Sequence, residues 1–218
     1  MRPSDFAQSS DQITFAGELG RKATHLGAMI VPGLYYYVFY LPAADPFDAK
    51  VRLLSILIPV TALAITMDVA RLRNSSLWRW IEPLARPMVR RRESDGDFLG
   101  STYILVAMCL TIAMFSATVA SLALAFIIIG DTAAALVGRR WGRHVFRGKS
   151  LEGTLACLVS LAFVALYGDL FMKTPLWIGL TGAFVATLME AAPDFVDDNL
   201  SVPLVSGLVM QLLTAPHS

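Results

Sequence analysis

The sequence predicts an all-α, polytopic membrane protein with about seven transmembrane helices and a cytoplasmic N-terminus, on three observations. Of 218 residues, 56% are hydrophobic and only 16% charged, and the mean hydropathy is +0.59, a balance outside that of ordinary soluble domains. Apolar runs recur at about 24–42, 51–70, 100–116, 117–138, 153–171, 175–192 and 200–215, most of them close to the roughly 20 residues that one crossing takes. Threading these runs alternately leaves fifteen of the eighteen Lys and Arg residues on one side, the side that the positive-inside rule assigns to the cytoplasm.

The elements follow in order. Glu18, Arg21, Lys22 and His25 precede or open the first run at spacings that share one helical face. No small-residue cleavage site separates this stretch from the next run, so no cleaved signal peptide is expected. The second run ends at Asp68. The longest connection, about 71–99, sets Leu77, Ile81, Leu84 and Met88 at helical spacing among seven arginines, the pattern of an interfacial amphipathic segment. Pro83 and Pro87 argue against one unbroken helix there, and its arginines suit anchoring on anionic head groups. The third and fourth runs abut near Ser116. The fourth carries Gly130, Ala134 and Gly138 four apart, a small-residue packing stripe, with Asp131 beside it.

The chain therefore reads as one membrane-embedded domain over 1–218. Cys109 and Cys157 fall inside apolar runs without CxxC spacing and read as small buried hydrophobes. The net charge of +1 gives no argument for nucleic acid, and none is expected as a partner.

Chemistry concentrates at one membrane level. A charge inside hydrocarbon costs about 2.5–3.5 kcal/mol, so Asp131, two turns inside the fourth run, and Glu190, at the end of the sixth, require an explanation. For Asp68, pairing with Arg71 or Arg73 explains it as well as function does. Asp194, Asp197, Asp198 and Asn199 follow Glu190 at the same level. The segment 138–154, GRRWGRHVFRGKSLEGT, holds five cations and four glycines before the fifth run. Cations neutralise phosphate, glycines admit close backbone N–H groups, and a helix opens near Ser150. A phosphate-binding Walker loop does not fit, because five residues separate Gly142 from Gly148 where that motif has four. Carboxylates facing such a loop suggest a Mg²⁺-dependent nucleotide reaction, since Mg²⁺ takes one or two carboxylates together with phosphate oxygens and water. Its place at the membrane surface suggests a lipid acceptor.

Four segments carry a resemblance to a known family: ELGRKATH (18–25), GSTY (100–103), GDTAAALVGRRWGRH with GKSLEGTLA (130–156), and DDNLSVPLVSG (197–207). The chain resembles the CTP-dependent lipid alcohol kinases that include dolichol kinase, phytol kinase and the fungal CTP-dependent diacylglycerol kinase. The resemblance implies a membrane enzyme that takes CTP as phosphoryl donor, with Mg²⁺, and a lipid alcohol as acceptor among membrane lipids. It leaves polyprenol, dolichol, phytol and diacylglycerol open. Asp131, Lys149, Ser150, Glu152, Gly153 and Thr154 would belong to the nucleotide site, joined by Gly130, Gly148 and Asn199.

On that footing, Asp131 and Asp198 are expected to hold Mg²⁺, and Arg139, Arg140 and Lys149 to bind phosphates. Glu152 or Asp197 would act as general base, and Glu18, Arg21, Lys22, His25, Asp68 and Glu190 would line the site. The site would face the cytoplasm, from the inner membrane of a bacterium or from an endoplasmic-reticulum or plastid-type membrane. Two other readings compete. A CTP:phosphatidate cytidylyltransferase would release pyrophosphate, and a transporter would use Asp131 and Glu190 as intramembrane ion sites.

Overall fold

The computed structural model describes residues 15–73, 75, 78–79, 93, 96–146, 148–192 and 197–214, with only the backbone of 15–18. Helices account for all seven of the apolar runs in position. They are α1 (Phe15–Gly27), α2 (Ile30–Gly33) with a π-helical continuation over Leu34–Tyr40, α3 (Pro46–Leu72), α4 (Gly100–Met114), α5 (Ala117–Trp141), α6 (Leu151–Met172), α7 (Leu176–Ala191) and α8 (Asp198–Thr214). Among the described residues, α3, α5 and α6 are long and apolar enough to cross a membrane, while α4 and α7 are shorter apolar helices. Most of the expected interfacial segment, including Leu77, Ile81, Pro83, Leu84, Pro87 and Met88, lies outside the described residues, as do Asp194 and the side chain of Glu18.

Helix α5 is the centre. Its first half is buried on every face, from Val119 through Ile128, because α1, α2 with its π segment, α4, α6, α7 and α8 pack around it. Helix α3 lies outside α4 and touches the π segment. Outward-facing side chains are large and apolar: Leu63, Phe163, Leu170 and Phe184 are all more than half exposed. A contiguous apolar exterior around a buried core is what a bilayer-facing bundle presents.

Local chemistry sets the boundaries. Asp45 caps α3 by accepting from the Phe47 N–H at 3.0 Å, with Pro46 at the first helical position. The boundary at Ser116 is real: Phe115 and Ser116 leave the helical region, and the Ser116 N–H turns to Gln211 Oε1 at 2.8 Å.

The first run differs from one straight span. Pro32 has no N–H to give to Ala28, and the carbonyls of His25, Leu26 and Ala28 instead accept three-residue bonds around 28–31. The chain then widens into π geometry over the aromatic stretch LYYYVFY.

The stripe of Gly130, Ala134 and Gly138 faces α6. A Cβ on Gly130 would stand 3.0 Å from Cys157 Sγ, and one on Gly153 would stand 2.7 Å from the Ala134 carbonyl. Helices α5 and α6 thus approach through small residues on both partners. Between them, β1 (Val145–Phe146) and β2 (Lys149–Ser150) form a minimal antiparallel hairpin. Gly148 at its turn has φ +80°, a left-handed value that glycine adopts without strain.

Candidate active site

Asp131 is the anchor of the site. Helix α5 carries its carboxylate to the end of α1, where Lys22 Nζ forms an ion pair with Oδ2 and also donates to the Asp131 carbonyl at 3.0 Å. Lys22 is 1% exposed, so this charge pair is held away from solvent, where breaking one partner is costly. His25, one turn further along α1, is also buried, and its Nε2 lies 3.8 Å from Asp131 Oδ2 without a hydrogen-bond partner. A buried ring nitrogen left unsatisfied beside a carboxylate is unusual and invites a ligand group.

A second charge group sits next to the first. The hairpin places Lys149 Nζ 3.0 Å from Asp198 Oδ2 and 3.3 Å from Glu190 Oε1, and Lys149 also donates to the Glu190 carbonyl. Glu190 is buried, and its Oε2 has no hydrogen-bond partner. The charges of Asp131 and Lys22 act on Glu190 together with that of Lys149. Acids and lysines from α1, α5, the hairpin, α7 and α8 therefore form one electrostatic cluster.

Several expected residues are committed to the scaffold around it. Ser150 caps α6, its Oγ accepting from the Gly153 N–H at 3.1 Å. Glu152 ties down the loop before the hairpin: it accepts from the backbone N–H groups of Arg143 and His144 at 3.0 and 3.3 Å and pairs with His144 Nδ1 at 2.7 Å. Asp197 opens α8, its Oδ1 taking the Asn199 backbone and side-chain N–H groups. Gly130 and Gly153 serve the α5–α6 contact. Arg140 is exposed and Arg139 half-buried at the end of α5. Thr154 Oγ1 is buried without a hydrogen-bond partner, one turn from Ser150. Arg21 flanks Lys22 on α1 and is partly buried.

Asp68 is not drawn into the cluster by any of its hydrogen bonds. Its oxygens take Arg71 Nε, the Leu99 N–H and Thr102 Oγ1, each at 2.7 Å, which joins the end of α3 to the start of α4. Glu93 completes that junction by accepting from the Gly100 N–H at 2.9 Å. Sequence reasoning passed over Glu93; its only signal was an acid directly after three arginines. The junction borders the site, for a Cβ on Gly100 would lie 3.2 Å from Asn199 Nδ2.

Among the described residues, no group of three or more His, Cys, Asp or Glu stands ready to hold a metal unaided. Mg²⁺ needs no such cage, because it binds through one or two carboxylates with substrate phosphate and water. Asp131, Asp198 and the unsatisfied Glu190 Oε2 supply hard oxygen donors of that kind.

On the Asp131 side of the bundle the π segment, α5 and α6 enclose a cavity of about 520 Å³. Its walls are apolar and aromatic, including Tyr36, Tyr37, Ile129, Phe163 and Tyr167, with Ser121 and Ser160 among them.

No family model matches the chain, and no solved structure does. Curated proteins do. The chain is 27% identical over 166 residues to a protein of Schizosaccharomyces pombe named CTP-dependent diacylglycerol kinase 1, covering 69% of this chain and 76% of that protein. It is 39% identical over 89 residues to phytol kinase of a Synechocystis species, covering 37% of this chain and 38% of that protein. It is 25% identical over 191 residues to dolichol kinase of Saccharomyces cerevisiae, covering 83% of this chain and 36% of that protein. At modest identity, these relatives support membership of the family of lipid alcohol kinases, and the Lys22–Asp131 pair and the Lys149 cluster are built from the segments that carry the resemblance.

Proposed function

We propose that the protein is an integral membrane kinase that transfers the γ-phosphoryl group of CTP to the hydroxyl of a lipid alcohol at the cytoplasmic membrane face. The observation that carries this reading is the partly buried Asp131 carboxylate, held by the buried Lys22 and lying beside an unsatisfied His25 Nε2, within electrostatic reach of Glu190. Membership of the lipid alcohol kinases supports the acceptor class, and the relative named as CTP-dependent supports the donor. The cytoplasmic side rests on the distribution of Lys and Arg.

Phosphoryl transfer asks mainly for positioning and charge neutralisation. Lys149 neutralises the donor phosphates, leaving its Glu190 and Asp198 partners to do so, with Arg139 and Arg140 at the open end. Asp131 and Asp198 would hold Mg²⁺, with Glu190 adjacent, and the ion would supply charge neutralisation at the phosphate oxygens. His25 Nε2 accepts a hydrogen bond from the acceptor hydroxyl and takes its proton as the new O–P bond forms and the β–γ bridging bond breaks, releasing CDP. This replaces Glu152 and Asp197 as general base, because both carboxylates are already occupied by backbone N–H groups and neighbouring side chains.

Purified protein with γ-labelled CTP, Mg²⁺ and each of phytol, a polyprenol, dolichol and diacylglycerol tests the reading. Label should enter a lipid, with CDP as the other product. Label appearing as pyrophosphate with formation of a CDP-lipid from phosphatidic acid would replace the kinase with a cytidylyltransferase.

A further inference from the structure

We propose that the cavity between the broken first helix, α5 and α6 holds the tail of the acceptor, and that it takes one hydrocarbon chain of roughly 15–20 carbons, estimated at about one water-sized volume of 30 Å³ per methylene. This inference rests on the lipid alcohol kinase reading and sharpens its substrate class to single-chain alcohols.

Position is the first argument. Ile129 lines the cavity two residues before Asp131, and Met29 lines it one helical turn beyond His25. Asp131 and His25 do not themselves line the cavity, but its inner end comes within about one helical turn of both along the chain, close to where a partly buried carboxylate and an unsatisfied imidazole nitrogen would receive a hydroxyl. Along α6 the lining runs from Ser160 to Met172, about 18 Å at the helical rise, so the cavity is elongated away from the charged site as a tail would be.

Shape is the second. The break at 28–31 and the π turn draw α2 aside, and a Cβ on Gly33, which lines the cavity, would meet nothing within 4 Å. At about 520 Å³ the space is typical of a small-molecule site. It is too small for two acyl chains or for a long polyprenol. Its wall opens outward past Phe163, Tyr37 and Tyr167, which are 68%, 43% and 42% exposed, toward the surface that would meet lipid. The Tyr37 and Tyr167 hydroxyls hydrogen-bond to each other on the cavity wall.

Two measurements on the full chain test this. In the first, alcohols of 10, 15, 20 and 30 carbons are compared as acceptors for wild type and Gly33→Leu, with Ala125→Phe as a second variant that fills the same space. The 20-carbon over 10-carbon ratio of kcat/KM should fall about tenfold or more in either variant, the range that a few lost methylene contacts give. An unchanged ratio in both overturns the proposal. In the second, a 16-carbon alcohol with a photoactivatable diazirine at its tail end is crosslinked to the protein without nucleotide. Adducts on Tyr37, Tyr167 or Met172 that unlabelled single-chain alcohol competes away support the site. Adducts confined to outer residues such as Leu63 and Phe184, or displaced by phospholipid and not by alcohol, overturn it. Because crosslinking needs no turnover, competed adducts with no phosphorylation of any alcohol would remove the kinase reading while leaving the tail site standing.

Discussion

Asp68 and Asp131 are both acids near the ends of long apolar helices, and both are paired with a basic side chain. Asp68 receives a guanidinium, a backbone N–H and a hydroxyl, all at 2.7 Å, so its lone pairs are consumed in fastening α3 to α4. Asp131 has a single strong partner in Lys22, and the neighbouring His25 Nε2 is left unsatisfied. Asp68 is fully buried and Asp131 only partly, and the two differ further in what remains unfilled. A saturated acid is a fastener, and an acid beside an unsatisfied nitrogen is a place for a ligand.

That contrast can be broken by mutation. The largest effect on stability is expected from Asp68→Ala, which takes the carboxylate from Arg71 Nε, the Leu99 N–H and the Thr102 hydroxyl and should cost about 3–5 kcal/mol, as loss of one member of a buried pair does. Thermal denaturation would register it, while turnover per folded molecule stays near wild type. Next comes the double variant Lys22→Met with Asp131→Asn. Removing both charges spares the fold the penalty of a lone buried ion, yet turnover should drop on the order of 10²–10³-fold, the scale for losing a group that stabilises transition-state charge. Normal turnover in this folded variant would make Asp131 another fastener.

Lys149→Ala is expected to be smaller, about 10–100-fold and expressed mainly in KM for CTP, consistent with about 1.5–3 kcal/mol for a charge-assisted hydrogen bond. A steady-state titration of nucleotide checks it. Smallest is Ser150→Ala, which removes an N-cap worth about 1 kcal/mol and should lower the melting temperature with little change in KM. A large rise in KM there would give Ser150 to the phosphates after all.

Much of the helical layout was legible because bilayer-length apolar runs and the small-residue stripe are local signals. The paired charges were less so. Lys22 and Asp131 stand 109 residues apart, and no spacing rule connects them; only the packing of α1 onto α5 does. Ser150 reads as part of the nucleotide site because a helix N-terminus that binds an anion and one that caps itself use the same residue types, and Glu152 reads as a candidate general base because its hydrogen bonds to the preceding loop have no sequence signal. The structure turns the Ser150 Oγ to the Gly153 N–H and the Glu152 carboxylate to the N–H groups of Arg143 and His144 and to the His144 ring. The cavity had no sequence signal of its own. Pro32 hinted at a break, but the π widening that leaves room beside Gly33 depends on how the aromatic run LYYYVFY packs against α5 and α3.

The most direct test compares Asp131→Asn and Asp68→Asn for label transfer from γ-labelled CTP to a lipid alcohol, normalised to the folded fraction of each protein. The account expects transfer by wild type, near wild-type transfer by folded Asp68→Asn, and a loss of at least about 100-fold in Asp131→Asn. Equal transfer by the two variants, or no label in lipid from folded wild type, would contradict it.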